Sequence, residues 1–276
     1  MAKKILLLGW NYFKKLDRTF VATAVVALFF FVSVAGFFFP SFSEWSAKFA
    51  NRNYNGEGLI EYVEAICWML ACIVYISLFV NEYRKNKFTF FAFWTIFFAA
   101  FCFVCCGEEL SWGQHLFKYE VNEFVSEYNK QRETNIHNLN ISKIIGIPVD
   151  DPKYRLFRNF NSILNPLFYL VCGIFWFVIP FVKKMGFFSK NKFFYYFPTP
   201  SLSTAIFCGA SLFAYLIIDK LFFDIGEILE LSLALVGLMV PLDVSFSVLK
   251  LNQVEHFGPS TVTPQQELIT AERKKI

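Results

Sequence analysis

The sequence predicts an all-α integral membrane protein, a six-transmembrane-helix bundle with a helical extracytoplasmic cap. Hydrophobic residues make up 56% of the 276 residues, and 38 of them are phenylalanine, so the apolar share is well above that of soluble domains. Six apolar runs reach the roughly 20 residues needed to cross a hydrocarbon core of about 30 Å. The longest polar stretch between two runs, residues 108–161, is the predicted cap.

The predicted spans leave little chain for a separate soluble domain. They cover about 19–40, 58–80, 88–107, 162–182, 201–222 and 227–249. We therefore expect residues 1–250 to form a single polytopic membrane domain. The polar tail, 251–276, is expected to be a disordered cytoplasmic segment.

The lysines and arginines indicate an orientation. They cluster before the first span, between the second and third, between the fourth and fifth, and at the end of the chain. With six spans these clusters share one side, which the positive-inside rule makes the cytoplasm. Both termini are then cytoplasmic and the cap lies outside. Nucleic acid is not an expected partner, because these basic residues border membrane spans; the expected partner is the lipid bilayer.

Three of the predicted spans carry carboxylates at their outer ends. Glu57 and Glu227 lie at the starts of the second and sixth spans. The candidates for the site are Glu61 and Glu64 in the second span, Glu108 and Glu109 at the end of the third, and Glu230 near the start of the sixth. A carboxylate facing lipid at this depth would cost a few kcal/mol, so these side chains are predicted to point into the bundle. Like charges gathered there would repel unless they share protons or meet a cation. We therefore predict one catalytic site, formed by these five carboxylates and His137 of the cap.

A divalent metal is one cation that could separate such carboxylates. Its expected ligands are Glu108, Glu109 and His137, because carboxylate and imidazole groups bind divalent ions in helical bundles. The sequence contains no HExxH, ExxH or HxxxH spacing to support it. Shared protons or the basic side chains of the cap remain the alternatives.

Polar and aromatic residues of the cap are the candidates for substrate binding. They are Trp112, Gln114, Gln131, Glu133, Asn135, Asn138, Arg155 and Arg158. The two arginines precede the fourth span among aromatic residues, a setting that suits a lipid phosphate. Ordinary anchoring at the membrane interface would produce the same pattern.

Two motifs of the cap resemble the signature of a group of bacterial multi-pass membrane proteins. GEELSWGQH at 107–115 and NKQRETNIHNL at 129–139 are similar to the pattern GEE(I/L)SWGQ followed by NxQxExNxHNL. The group has Arg at the position that His115 occupies here. The resemblance implies a multi-pass protein of the bacterial cytoplasmic (inner) membrane and supplies no activity.

Three classes of function remain open on this sequence. The first is an enzyme that acts at the outer membrane face on a lipid or lipid-linked headgroup, and the second is a proton- or cation-coupled transporter or flippase. The third is a non-catalytic membrane assembly partner. Transporters usually place charge at the bilayer midplane, whereas these carboxylates cluster in the outer third, so the enzyme is favoured. The sequence predicts no oligomeric state.

Overall fold

Helices make up the regular structure of the described chain. The computed structural model describes residues 59–157, 161–187, 191–202, 204–206, 209–210, 213 and 226–257. Within these ranges every regular element is helical, and the only bridge of β type joins Asn129 and Leu139. The all-α prediction is confirmed for this part of the chain.

The two longest apolar runs of the described chain form neighbouring helices, α1 (Leu59–Asn86) and α2 (Phe90–Glu109). Arg84 and Lys85 occupy the last turn of α1, where cations complement the helix dipole. Thr89 starts α2 by accepting a hydrogen bond from the Ala92 N–H at 3.2 Å. A connection of three residues makes α1 and α2 antiparallel, so the start of α1 and the end of α2 lie at the same end of the bundle.

Short helices occupy the polar region that follows α2. They are a 3-10 turn (Ser111–Gly113), α3 (Gln114–Phe117), α4 (Glu123–Tyr128), α5 (Ile141–Ile144) and α6 (Pro152–Phe157). Residues 110–157 are called the connecting segment below. The elements after it are α7 (Asn161–Gly173), a π-helical turn (Ile174–Val178), the short helices α8 (Ile179–Lys184) and α9 (Lys192–Tyr195), and the long helix α10 (Gly226–Phe257).

Four stretches of the described chain are long and apolar enough to cross a membrane. They are Ile60–Asn86, Phe90–Glu109, Leu167–Lys184 and Glu230–Val248. They correspond to the predicted spans 58–80, 88–107, 162–182 and 227–249. The predicted span 19–40 lies outside the described residues, and most of 201–222 does as well. α10 continues past the predicted boundary at residue 250, and the rest of the predicted tail lies outside the described residues.

The core forms where α1 packs against α2 and α10. Ala71 of α1 and Ala234 of α10 are fully buried, and small residues of this kind let membrane helices approach closely. Gly237 of α10 faces the Trp68 indole, and a Cβ atom at position 237 would lie 2.4 Å from Trp68 Cζ3. Only glycine therefore leaves room for the Trp68 ring at this point of α10.

An aromatic cluster fills the end of the bundle opposite the start of α1. The Trp94 ring lies 4.7 Å from the rings of Phe193 and Phe197, measured between centroids. The Trp94 Nε1–H donates a hydrogen bond to the Phe193 carbonyl at 2.9 Å. Trp94 is about 22 Å along α2 from Glu109 at the helical rise of 1.5 Å per residue. Chain 192–197 thus packs into the bundle far from the predicted site.

Candidate functional site

Three carboxylates from three helices meet inside the bundle. Glu64 of α1, Glu109 of α2 and Glu230 of α10 each offer an oxygen, and these oxygens lie within 4.8 Å of one another. Glu64 is fully buried, and the other two are partly buried. We call these three residues the carboxylate cluster. Its members are ones that the sequence placed in a single site.

The chain positions these carboxylates by helix geometry. Glu64 lies just over one turn into α1, Glu109 is the last residue of α2, and Glu230 lies just over one turn into α10. Since all three positions belong to the same end of the bundle, packing of α1 against α2 and α10 brings them together. Glu61 lies in the first turn of α1 and does not belong to the group of three.

Glu108 does not belong to this cluster and instead binds the connecting segment. Its Oε1 accepts a hydrogen bond from Trp112 Nε1–H at 2.7 Å. Its Oε2 accepts from the backbone N–H groups of Ile136, at 2.7 Å, and His137, at 3.1 Å. The His137 ring is a fourth partner, with Nδ1 3.1 Å from Oε2. Successive helical residues point about 100° apart, which explains why adjacent glutamates serve different surroundings.

His137 is oriented by this contact and lies among negative charges. Its Nδ1 faces Glu108 and its Nε2 lies 3.2 Å from Asn138 Nδ2. Burial lowers the pKa of His137, but the Glu108 hydrogen bond and the charges of Glu109, Glu108 and Glu133 outweigh it, so the pKa is raised above its ordinary value. The imidazole therefore keeps its proton to a higher pH than a free histidine does.

The two sequence motifs, 107–115 and 129–139, bind each other. Gln114 Oε1 accepts hydrogen bonds from the Thr134 backbone N–H at 2.8 Å and hydroxyl at 2.9 Å. Glu133 Oε2 accepts from Ser111 Oγ at 3.1 Å and from Asn135 Nδ2 at 2.9 Å. The motif 107–115 is thereby fixed to the motif 129–139 through side chains rather than through a strand or a long helix.

Buried amides complete this network. Asn129 Nδ2 donates to the Asn135 carbonyl at 2.8 Å, and Asn129 Oδ1 accepts from the backbone N–H of Gln131 at 2.9 Å. Asn138 Nδ2 also donates to Gln131 Oε1. His115 lies at its edge, with Nε2 3.3 Å from Glu133 Oε1. These partners give the amides a structural role, because buried polar groups need hydrogen bonds whether or not a substrate binds.

A left-handed turn shapes the link between α2 and this network. Ser111, Trp112 and Gly113 have φ values of 44°, 54° and 85°, a region that non-glycine residues rarely adopt. Gly107 accommodates the turn, since a Cβ there would lie 2.9 Å from Trp112 Cε3. The turn folds the Trp112 side chain back onto the last turn of α2, where its N–H reaches Glu108.

The structure therefore divides the predicted site residues between the carboxylate cluster and the connecting segment. Of the predicted metal ligands, only Glu109 belongs to the carboxylate cluster, whereas Glu108 and His137 bond to each other. The side chain of Arg155 and the whole of Arg158 lie outside the described residues. Sequence reasoning did not select Ser111, Asn129 or Thr134. Their signal was weak, because small polar residues are common in loops.

The fit of a metal to the carboxylate cluster can be tested on its donor atoms. Carboxylate oxygens are the ligands that hard divalent cations such as Mg²⁺, Mn²⁺ and Ca²⁺ prefer. Ligand oxygens on opposite sides of such an ion lie about 4–5 Å apart, at bond lengths of about 2.0–2.5 Å. The three oxygens lie within 4.8 Å of one another, so their separations fit around one such ion.

Comparison with known proteins gives no relative for this chain: no family model, curated protein or solved structure matches it.

Proposed function

We propose that the protein is a membrane-embedded enzyme that acts on a lipid or lipid-linked headgroup at one face of the bilayer. The observation that carries this proposal is the convergence of Glu64, Glu109 and Glu230 within 4.8 Å at one end of an apolar bundle. Carboxylates held this closely in a low-dielectric setting need shared protons or a cation, and such arrangements are enriched at catalytic sites. The neighbouring His137 adds a proton donor and acceptor.

In this proposal the predicted catalytic residues have different roles, which their contacts support. Glu108 positions His137, because one of its oxygens binds both the ring and the backbone of that residue. His137 then exchanges protons with the substrate through Nε2, as a group whose Nδ1 is fixed by a carboxylate can. Glu109 serves as the general base or as a ligand, since it belongs to the cluster and also interacts with His137.

A divalent cation fits the proposal at the carboxylate cluster. Glu64, Glu109 and Glu230 would hold it, and it would neutralise negative charge on a phosphate-containing headgroup. His137 lies beside this cluster rather than in it. The metal therefore belongs to the same proposed site with a ligand set that differs from the one expected from the sequence.

Turnover of labelled lipids by purified protein in nanodiscs tests the enzyme. We expect Glu109→Gln to reduce turnover by at least about 10²-fold, the contribution typical of a general base. Glu120→Gln is the matched control, because Glu120 is an exposed carboxylate of the connecting segment. Equal turnover by the Glu109→Gln variant and the control would remove Glu109 from the mechanism.

Elemental analysis of the same preparations tests the cation separately. We expect one divalent ion per chain in the wild type and in Glu120→Gln, and loss of that ion in Glu64→Gln and in Glu230→Gln. Retention of the ion in both of these variants would place it elsewhere. An active enzyme with no ion would instead favour shared protons in the carboxylate cluster.

The proposed topology has six spans, both termini in the cytoplasm of a bacterium and the connecting segment outside the inner membrane. Basic clusters on one side of the predicted spans support it. Labelling of intact spheroplasts with a membrane-impermeant thiol reagent tests it at two exposed positions of the described chain. We expect Glu120→Cys to react and Lys192→Cys to react only after lysis. The reverse pattern would invert the orientation.

A cation-coupled transporter is the second candidate, and burial of Glu64 within the bundle favours it. The aromatic cluster at the other end argues against an open path, because Phe197 is almost fully buried between α2 and the π-helical turn. Uptake driven by a proton gradient in proteoliposomes, abolished by Glu64→Gln, would support transport. Lipid turnover without uptake would support the enzyme.

A further inference from the structure

The loop that follows α2 exposes an unusual number of large apolar side chains. Phe117 is 79% exposed and Leu116 is 52% exposed, while Trp112 and Tyr119 are also more than a third exposed. Residues 112–119 are called the interface loop below. Large apolar side chains exposed together on a folded protein mark a contact surface.

The interface loop is folded rather than loosely attached. The Tyr119 hydroxyl donates to the Ser111 carbonyl at 3.3 Å, and Gln114 is fixed by Thr134 at 2.8 Å. The Phe117 ring packs closely over Gly113, where an added Cβ would lie 2.8 Å from ring atoms. The exposed apolar side chains are thus presented by a defined structure.

This loop continues the apolar surface of α2. Phe103 and Val104, on the outer surface of α2, are 52% and 46% exposed. In a helix long and apolar enough to cross a membrane, such residues face lipid. The Phe103 ring meets the Trp112 ring in an edge-to-face contact with centroids 6.3 Å apart. The exposed surface therefore runs without interruption from α2 to Trp112.

The residue types of the interface loop suit the boundary between headgroups and acyl chains. Tryptophan and tyrosine concentrate at this depth because their rings are apolar and their N–H or O–H groups are polar. Lys118 follows Phe117 and is exposed, so its ammonium group can reach lipid phosphates while the neighbouring ring lies deeper.

We propose that the interface loop inserts into the bilayer leaflet beside α2, with Phe117 and Leu116 among the acyl chains and Lys118 at the headgroups. Lipid is the occupant, because the loop is continuous with the surface that α2 presents to lipid. Trp112 joins this surface to the site, since its ring contacts Phe103 and its N–H binds Glu108. The Glu108–His137 pair is therefore held at the lipid boundary. This placement does not depend on the proposed enzymatic function.

Spin labelling in nanodiscs tests the placement of the loop. Phe117→Cys carries the probe, and Val149→Cys is the matched control, because Val149 is also apolar and 78% exposed but lies beside Asp150 and Asp151. Accessibility of the nitroxide to oxygen, which enters lipid, is compared with accessibility to a water-soluble nickel chelate. Unsubstituted protein measures labelling of the native cysteines, five of which are buried in the described chain.

The expected result is a label at position 117 that favours oxygen and lies roughly 5–10 Å into the headgroup–acyl boundary. The label at position 149 is expected to favour the nickel chelate. Nickel accessibility at 117 equal to that at 149 would overturn the proposal. A 117 label shielded from both reagents would also overturn it, since a protein partner would then cover the loop. Neither outcome would change the test of lipid turnover.

Discussion

Replacing Glu108 by glutamine removes the charge that ties the connecting segment to α2. Glu108 accepts hydrogen bonds from Trp112, Ile136 and His137. A glutamine side chain has one accepting oxygen, so its NH₂ group must face either the indole N–H or the donors of residues 136 and 137. With the NH₂ group facing the indole, the bonds to residues 136 and 137 are kept. The NH₂ group and the Trp112 N–H are then two donors facing each other, where the native contact is 2.7 Å long.

The cost follows from the kind of bond that is lost. A hydrogen bond to a charged acceptor contributes about 1.5–3 kcal/mol, against about 0.5–1.5 kcal/mol for a bond to a neutral one. We therefore expect Glu108→Gln to lower the free energy of opening of the connecting segment by about 2–3 kcal/mol. Since 1.4 kcal/mol is a factor of ten, opening should become roughly 30 to 150 times more frequent.

Hydrogen–deuterium exchange of peptides covering 130–140 measures this opening directly. Glu127→Gln is the matched control, because Glu127 is a half-exposed carboxylate of the same segment, 3.4 Å from Lys143. An exposed pair of this kind contributes only about 0–1 kcal/mol. Exchange in α1 should be equal in the two variants, which shows that the bundle stays folded. Native protection of 130–140 in Glu108→Gln would refute the assignment of Glu108 as the residue that holds this segment.

Three further predictions follow from single contacts. NMR titration should find the pKa of His137 above about 6.5. The stabilisation of the fold by the protonated ring is complete below the pKa that His137 has in the unfolded chain, and it is lost as the pH rises through the pKa in the folded protein. Gly107→Ala should displace Trp112 and lower stability by about 1–3 kcal/mol through overpacking, whereas Gly173→Ala, with open space around its Cβ, should not destabilise the protein in thermal unfolding. Gly237→Ala should lower the unfolding temperature because its Cβ would meet the facing indole at 2.4 Å, and an unchanged temperature would contradict the close packing of α1 and α10.

The membrane helices were predictable because length and apolarity decide whether a segment can cross a bilayer. The helix ends were less so. The second predicted span was expected to stop at residue 80, but α1 continues to Asn86. Hydropathy marks only the part of a helix that lies in lipid. The last turns of α1 lie outside that part and contain Glu82, Arg84 and Lys85. The helix continues there because charged residues with long side chains form helices readily.

The sequence predicted that carboxylates from three helices converge, but not which of them form the cluster. Glu64 was expected inside the bundle because a carboxylate at its depth is costly in lipid, and it is fully buried. The contact of Glu108 with the connecting segment depends on the turn at Ser111–Gly113, and the residues Ser and Trp give no sign of its positive φ values. Because the sequence does not predict that turn, it also does not predict that the backbone N–H groups of Ile136 and His137 bind Glu108.

Adjacent glutamates at the end of α2 connect two parts of the molecule that otherwise differ in chemistry. Glu109 belongs to the carboxylate cluster inside the apolar bundle, while Glu108 is surrounded by hydrogen-bond donors from the connecting segment. One peptide unit separates them, so the segment cannot move away from α2 without breaking the contacts of Glu108. His137 is bound to Glu108 and interacts with Glu109, which places its imidazole ring between the two environments. The imidazole therefore stays beside the cluster only while the connecting segment is ordered. This dependence links the motif 107–115, which contains Glu108, to the motif 129–139, which contains His137.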